Sequence, residues 1–190
     1  MSENSDEVDW ALAIVGDGIA AGRVFDRHHD RVTRHSRRLV SQFAEADAQD
    51  VVAIVFLEAW RKREVIRFTD GSMLPWLLVT ATNTAANVAR SARRYRALLS
   101  KMPPPGTVAD PADSAGGDAE VALRRLSTRD QLVLTLCVLE GFSHKEVATV
   151  LGIPPGTVKS RLFHAKKRLA DELDTHRSFP TLIVKEAPND

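Results

Sequence analysis

Between Pro154 and Ala170 the chain carries Lys159, Arg161, Lys166, Lys167 and Arg168 with no acidic residue, and Asp171 and Glu172 follow only at the end. Cations interleaved with Thr157, Ser160, Phe163 and His164 suit a polyanion. On a helix they divide into two groups. Those near the N-terminus reach base edges in a major groove, and those further along, Lys166 and Lys167, pass the phosphates. The competing reading is a solvated basic face on a helical bundle.

What favours DNA is the stretch that positions this helix. Ser143 followed by Glu146 is a capping-box pattern that starts one helix. Val147, Val150 and Leu151 are spaced to form its apolar face, and Ala148 is small where two helices cross closely. Gly152 then takes the turn in a left-handed conformation open cheaply to glycine alone. Pro154 and Pro155 suit the first turn of a second helix, on which Val158 and Leu162 point back into the pair. Two short helices and a tight turn make a helix-turn-helix.

The other elements read as helices too. Trp10, Leu12, Ile14 and Val15 form a first helix ended by Gly16, after a frayed polar segment 1–8, and Asp17 caps the next. Ile19 to about Phe43 is long and basic, with Val24, Phe25, Val32, Leu39 and Val40 as core positions. Its His28, His29 and His35 read as a solvated face, because adjacent residues diverge by about 100° on a helix and cannot converge on a metal. After a break capped by Asp47 or Asp50, Val51 to Arg63 is apolar nearly all round. Val51, Val52, Val55, Phe56 and Ala59 face the core, leaving Ala53, Ile54 and Leu57 partly outside, where they present an apolar patch to a partner. A loop with Asp70-Gly71 at its turn precedes a helix over Trp76 to about Leu99. That helix has Trp76, Leu77, Val79 and Val88 on a core face, and Asn83, Asn87, Arg90, Arg93, Arg94 and Arg96 along it. Asparagine is a poor mid-helix residue, so a pair at i, i+4 points to nucleic-acid contact, packing being the alternative. Val121–Leu126 and Leu132–Leu139 are two further helices, the second started by Ser127 or Thr128 and stopped by Gly141.

Composition sets the bounds. With 190 residues, 44% of them hydrophobic, the chain can bury one core or two small ones. Its net charge of +1 hides an uneven distribution. Val79 to Lys101 is basic without an acid, whereas KMPPPGTVADPADSAGGD continues into an acidic, Pro- and Gly-rich stretch that reads as a linker. The single Cys137 offers no intramolecular disulfide and reads as a core thiol. No apolar run approaches the roughly 18 residues of a membrane span, and MSENSDEVDW lacks a signal-peptide pattern, so a soluble cytoplasmic protein is expected. Without a Gly-rich phosphate loop, metal-ligand spacing or nucleophile motif, neither enzyme activity nor a cofactor or metal is expected. The expected fold is all-α: two small helical domains on a flexible linker, the C-terminal one with the helix-turn-helix.

On these motifs the chain resembles the extracytoplasmic-function (ECF) group of bacterial alternative sigma factors. LSTRDQLVLTLCVLEGFSHKEVATVLGIPPGTVKSRLFHAKKRL is similar to their region 4, QDVVAIVFLEAW to the region 2 helix that grips RNA polymerase, and PWLLVTATNTAANVARSARR to the part that melts and reads promoter DNA. The resemblance implies a region 2-like domain over 1–100, a linker over 101–119, a region 4-like domain over 120–175 and a tail over 176–190. It places minus-35 contacts at Thr157, Lys159, Ser160, Phe163 and His164, with Arg161, Lys166 and Lys167 on phosphates or in packing. It places minus-10 contacts at Phe68, Asp70, Ser72 and Met73, in a loop that holds a flipped base, and at Trp76, Asn83, Asn87, Arg90, Arg93 and Arg94. Asp50, Val51, Ile54, Val55 and Leu57 match the polymerase-binding surface. The family usually has a polar pair, often Gln-Glu, where this chain has Ala53-Ile54, and often an arginine in place of His164. The implied partners are core RNA polymerase, promoter DNA and an anti-sigma factor, for a chain that is monomeric when free. Two other functions compete: a helix-turn-helix regulator of the response-regulator type, against which the first half shows no strand pattern, and a sigma-like decoy that does not initiate.

Overall fold

In the computed structural model residues 5–40, 45–99 and 118–177 are described. The linker up to residue 117 and the tail from residue 178 lie outside them. Helix α1 spans Asp6–Ile14, and the Ser5 side chain caps it by accepting the Val8 N–H. Gly16, at φ +106°, turns the chain, and Asp17 Oδ1 accepts the N–H groups of Ile19 (2.9 Å) and Ala20 (3.1 Å) to start α2, Gly18–Val40. Helix α3, Glu45–Arg61, begins earlier than expected, so Asp47 and Asp50 lie within it instead of capping it. Helix α4 is Leu74–Leu99 and α5 is Asp118–Arg125. Helix α6, Thr128–Leu134, is capped by Ser127 and widens into a π turn over Thr135–Leu139, where the expectation was plain helix. Then come α7, His144–Leu151, and α8, Pro155–Arg177. Among the described residues the one extended pairing is a bridge between Thr69 and Ser72.

Helices α1 to α4 close on Trp10, Val24, Val32, Val51, Val52, Val55, Met73, Leu77 and Ala81. In the second half, Val133, Leu136, Val147, Ala148 and Val158 form one cluster, and Leu126, Leu134 and Ala165 another. Helix α4 serves both halves. Leu77 and Ala81 belong to the first core, while Leu74 and Leu78 pack with Val133, Leu136 and Val147. Polar links run beside this seam. Arg31 pairs with Glu140 at 2.6 Å, and Arg67 Nη1 donates to the Thr149 carbonyl at 3.0 Å.

Three further expectations need correction. Segment 1–8 is not frayed from Ser5 onward: Asp6 is only 3% exposed, because the acidic residues of α1 find cations on α2. The histidines do not form a solvated face. His28 is buried with Nε2 at 2.6 Å from Asp6 Oδ2, and His35 is buried with Nε2 at 2.8 Å from Thr82 Oγ1, leaving His29 half-exposed. Buried imidazoles need such partners, which a reading of helical spacing cannot supply. Cys137 is half-buried, not enclosed, and its partial burial raises the thiol pKa.

Candidate nucleic-acid and polymerase interfaces

The helix-turn-helix forms as its residues dictate. Ser143 Oγ accepts the Glu146 N–H at 3.3 Å, and the Glu146 carboxylate accepts the Ser143 N–H at 2.6 Å. Hydrogen bonding of the Glu146 carboxylate by the Ser143 hydroxyl and by the Ser143 N–H holds the carboxyl below the usual range. Gly152 closes α7 at φ +65°, ψ +37°, its N–H on the Ala148 and Thr149 carbonyls. Val158 and Ala165 of α8 are fully buried, with Leu162 packed beside them. The opposite face carries Lys159, Ser160, Phe163, His164, Lys166 and Lys167, all exposed, with Thr157 and Arg161 at its edge. The Phe163 and His164 rings meet edge to face at 5.4 Å. Arg168, expected among the basic residues of the exposed face, is committed elsewhere. Its Nη1 donates to buried Asp130 at 2.5 Å and ties α8 to α6.

The α3 surface separates as its periodicity demands. Val51 and Val55 are fully buried and build the inner face. Asp50, Ala53, Ile54 and Leu57 are exposed, and Leu57 is 56% accessible. Of the polymerase-contact candidates, then, Asp50, Ile54 and Leu57 are on the outside. Across an open groove from Ile54 stand Asn83 and Asn87 of α4, so two sets read separately from the sequence share one depression, which Glu58, Lys62 and Tyr95 also line. Asn87 Oδ1 accepts from Arg90 Nη2 at 2.5 Å, and Arg90 Nε donates to the Ala86 carbonyl. Arg94 is exposed; the side chain of Arg93 lies outside the description.

The loop between α3 and α4 ends in a tight reversal. Thr69 and Ser72 exchange backbone hydrogen bonds at 2.8 and 3.0 Å across Asp70 (φ +48°) and Gly71 (φ +75°). Positive φ at both central residues is a type I′ turn, for which Asp-Gly is a preferred pair. Asp70 is exposed at the tip, with Phe68 and Ser72 half-buried. Met73 is fully buried, and half-buried Trp76 packs between the cores, so these two candidates form the base of the loop.

Sequence reasoning missed what holds this loop. Asp6 donates its N–H to the Gly71 carbonyl at 2.9 Å. Its Oδ2 accepts from Met73 N–H (2.8 Å), Ser72 Oγ (3.0 Å) and His28 Nε2 (2.6 Å), and its Oδ1 from Arg27. Asp9 accepts from Arg23 and Arg27. Burial alone would raise the Asp6 pKa, but the bonds from His28, Met73 N–H and Arg27 outweigh it and hold the carboxyl far below the usual range. The signal was the pairing of acids in SDEVD with Arg23 and Arg27 at i, i+4, although spacing alone does not say which helices meet.

Comparison with known proteins places these surfaces in a family. Residues 24–95 match Sigma-70 region 2 and residues 117–169 match Sigma-70, region 4. The chain is 34% identical over 155 residues to the ECF RNA polymerase sigma factor SigL of Mycobacterium tuberculosis, covering 77% of this chain and 84% of that one. Among solved structures it is similar to CnrH, in complex with the cytosolic domain of CnrY, with a TM-score of 0.62, 25% identity, and coverage of 90% of this chain and 97% of that one. It is also similar to the Bartonella quintana sigma factor RpoE in complex with the anti-sigma factor NepR, with a TM-score of 0.56, 25% identity, and coverage of 79% and 94%. With the helix-turn-helix in the region 4 match and the apolar α3 surface in the region 2 match, the chain belongs to the ECF group of RNA polymerase sigma factors.

Proposed function

We propose that this sigma factor binds core RNA polymerase through Asp50, Ile54 and Leu57, reads the minus-35 element with the exposed face of α8, and opens and reads the minus-10 element with Asn83, Asn87, Arg90, Arg94 and the Phe68–Met73 loop. The observation that carries this is the presence, in one chain, of an exposed apolar stripe on α3 beside a groove between α3 and α4 that Asn83 and Asn87 line, and of a separate basic recognition helix. A helix-turn-helix regulator has no use for the first two, and a decoy has no use for the groove. The metal ions and the chemistry of RNA synthesis belong to polymerase. The protein acts in the cytoplasm as a monomer until it meets core enzyme. CnrH and RpoE were each solved bound to a partner chain, and an anti-sigma partner that occupies the same surfaces is part of this proposal. Run-off transcription with purified core polymerase on a promoter library tests the whole. Initiation from a restricted set is expected, and DNA binding without initiation would favour the regulator or the decoy.

The two parts of α8 fail differently on substitution. Lys159→Ala costs roughly 1–3 kcal/mol and changes the base preferred at one or two minus-35 positions. Lys167→Ala weakens all promoters alike and lowers the salt slope by about one unit. Selecting preferred minus-35 sequences for both variants at two salt concentrations distinguishes them. Uniform loss in both would reduce the helix to a phosphate anchor.

On α4, Asn83→Ala weakens open-complex formation on duplex promoters more than on pre-melted ones, because extruding a base costs a few kcal/mol that the groove must return in stacking and hydrogen bonds. Permanganate footprinting reads this directly. An unchanged footprint on duplex DNA would make Asn83 a packing residue.

A further inference from the structure

A side chain that bonds to the loop between α3 and α4 lies far from it in sequence. Asp6 accepts the Met73 N–H and the Ser72 hydroxyl, and its own N–H reaches the Gly71 carbonyl, so three consecutive loop residues end on one residue of α1. The attachment is close-packed as well. A Cβ built on Gly71 would stand 3.3 Å from the Ser5 Cβ, so the turn rests directly on the cap of α1. Asp6 in turn is held by His28 and Arg27, and Arg27 by Asp9, which joins the loop to α2 through buried carboxylates.

This anchorage differs from what fold stability alone requires. Asp9 makes the same kind of ion pairs with Arg23 and Arg27 but, among the described residues, bonds to none of the loop. Asp6 therefore has a second task. A loop that must present a pocket to a single extruded base gains affinity and selectivity when it is ordered before the base arrives. The type I′ turn fixes the tip, but two residues of hairpin do not fix where the tip points. Bonds to Gly71, Ser72 and Met73 do so.

We infer that Asp6 is a positioning residue for minus-10 recognition: through its bonds to Gly71, Ser72 and Met73 it fixes the orientation of the base-holding loop without touching DNA. The inference rests on the reading of Phe68–Met73 as that loop. It makes base preference at one promoter position depend on a residue in the first turn of the first helix.

The test uses the full chain with core polymerase and single-stranded minus-10 oligonucleotides varied at each position. Asp6→Ala is expected to keep core binding and the minus-35 preference and to lose about tenfold in discrimination at the extruded base, through poorer preorganisation. Asp9→Ala, which breaks the neighbouring ion pairs, lowers the melting temperature comparably but keeps the discrimination. If Asp6→Ala does not assemble, Asp6→Asn carries the same comparison, since it keeps the shape but turns an amide donor toward Arg27 or His28. Equal loss in the Asp6 and Asp9 variants, or none in either, would overturn the inference. Phe68→Ala separates the two levels. If it too leaves discrimination intact, the loop reading itself has failed, whereas if it abolishes discrimination while the Asp6 variants do not, only the role of Asp6 has.

Discussion

Replacing Leu57 with glutamate is expected to weaken binding to core polymerase strongly while leaving the fold intact. Leu57 is 56% exposed and lies outside the buried face made by Val51, Val52, Val55 and Ala59, so a charge there meets water in the free protein. In the complex it would be desolvated against an apolar partner without a counter-charge. Affinity should fall by roughly two orders of magnitude, about 2–4 kcal/mol. Ile54, 38% exposed on the same surface, is the second position: Ile54→Glu puts a charge into the same apolar interface and is expected to cost several kcal/mol at most. Competition for core enzyme among the three proteins, with helicity checked by circular dichroism, gives the answer. If Leu57→Glu competed as well as the parent, the polymerase surface would have to lie elsewhere.

The second large effect comes from pH. His35 is 1% exposed, with Nε2 at 2.8 Å from Thr82 Oγ1, which donates to the Leu78 carbonyl at 2.9 Å, and its burial disfavours the charged imidazolium. Burial lowers its pKa from 6.5 to about 4, against a smaller opposing pull from Glu140 and with a further push from Arg38. Between these values the unfolded chain holds a proton that the folded chain refuses, so stability is full above the unfolded pKa of 6.5 and falls as pH drops toward about 4. The gap limits this loss to roughly 3 kcal/mol. Asp6, whose folded pKa is also depressed, adds a loss of the same sign only below its unfolded value of 3.8. Urea unfolding of the parent and His35→Gln between about pH 7 and about pH 4.5 checks the assignment. The variant keeps a polar partner for Thr82 and should show the shallower dependence, while parallel curves would clear His35.

The elements legible in the sequence were those whose signals are local. Ser143, Glu146, Gly152 and the Pro154-Pro155 pair each act within one turn, and each acts as read. The same holds for Asp17 as a cap and for Asp70-Gly71 as a reversal. What was not legible depends on which helices meet. Nothing in the spacing of His28 or His35 says that Asp6 or Thr82 will stand opposite. The exposed basic run on α8 likewise hides that Arg168 is spent on Asp130. Periodicity sorted α3 into inner and outer faces, but the polymerase motif, taken whole, counted buried Val51 and Val55 with the exposed residues. The π turn after Leu134 had no warning in LVLTLCVLEG, since i to i+5 bonding leaves no residue-type signature there.

Helix α4 is anchored unequally along its length. Its first three turns are held on two sides, by Leu77 and Ala81 in one core and by Leu74 and Leu78 in the other. Among its described side chains the last buried one is Ala85, and beyond Val88 they include Tyr95 and Leu98, each 64% exposed. Local opening free energy tracks such burial, so it declines steeply from the middle of this helix to its end. Arg90 and Arg94 project from the weakly anchored part and Asn83 from the firmly anchored part. One continuous helix thus passes from a rigid stretch bearing Asn83 to a compliant one bearing Arg90 and Arg94; under the proposed function, that would hold the asparagine at a set depth and let the arginines follow a phosphate path that varies from one promoter to the next.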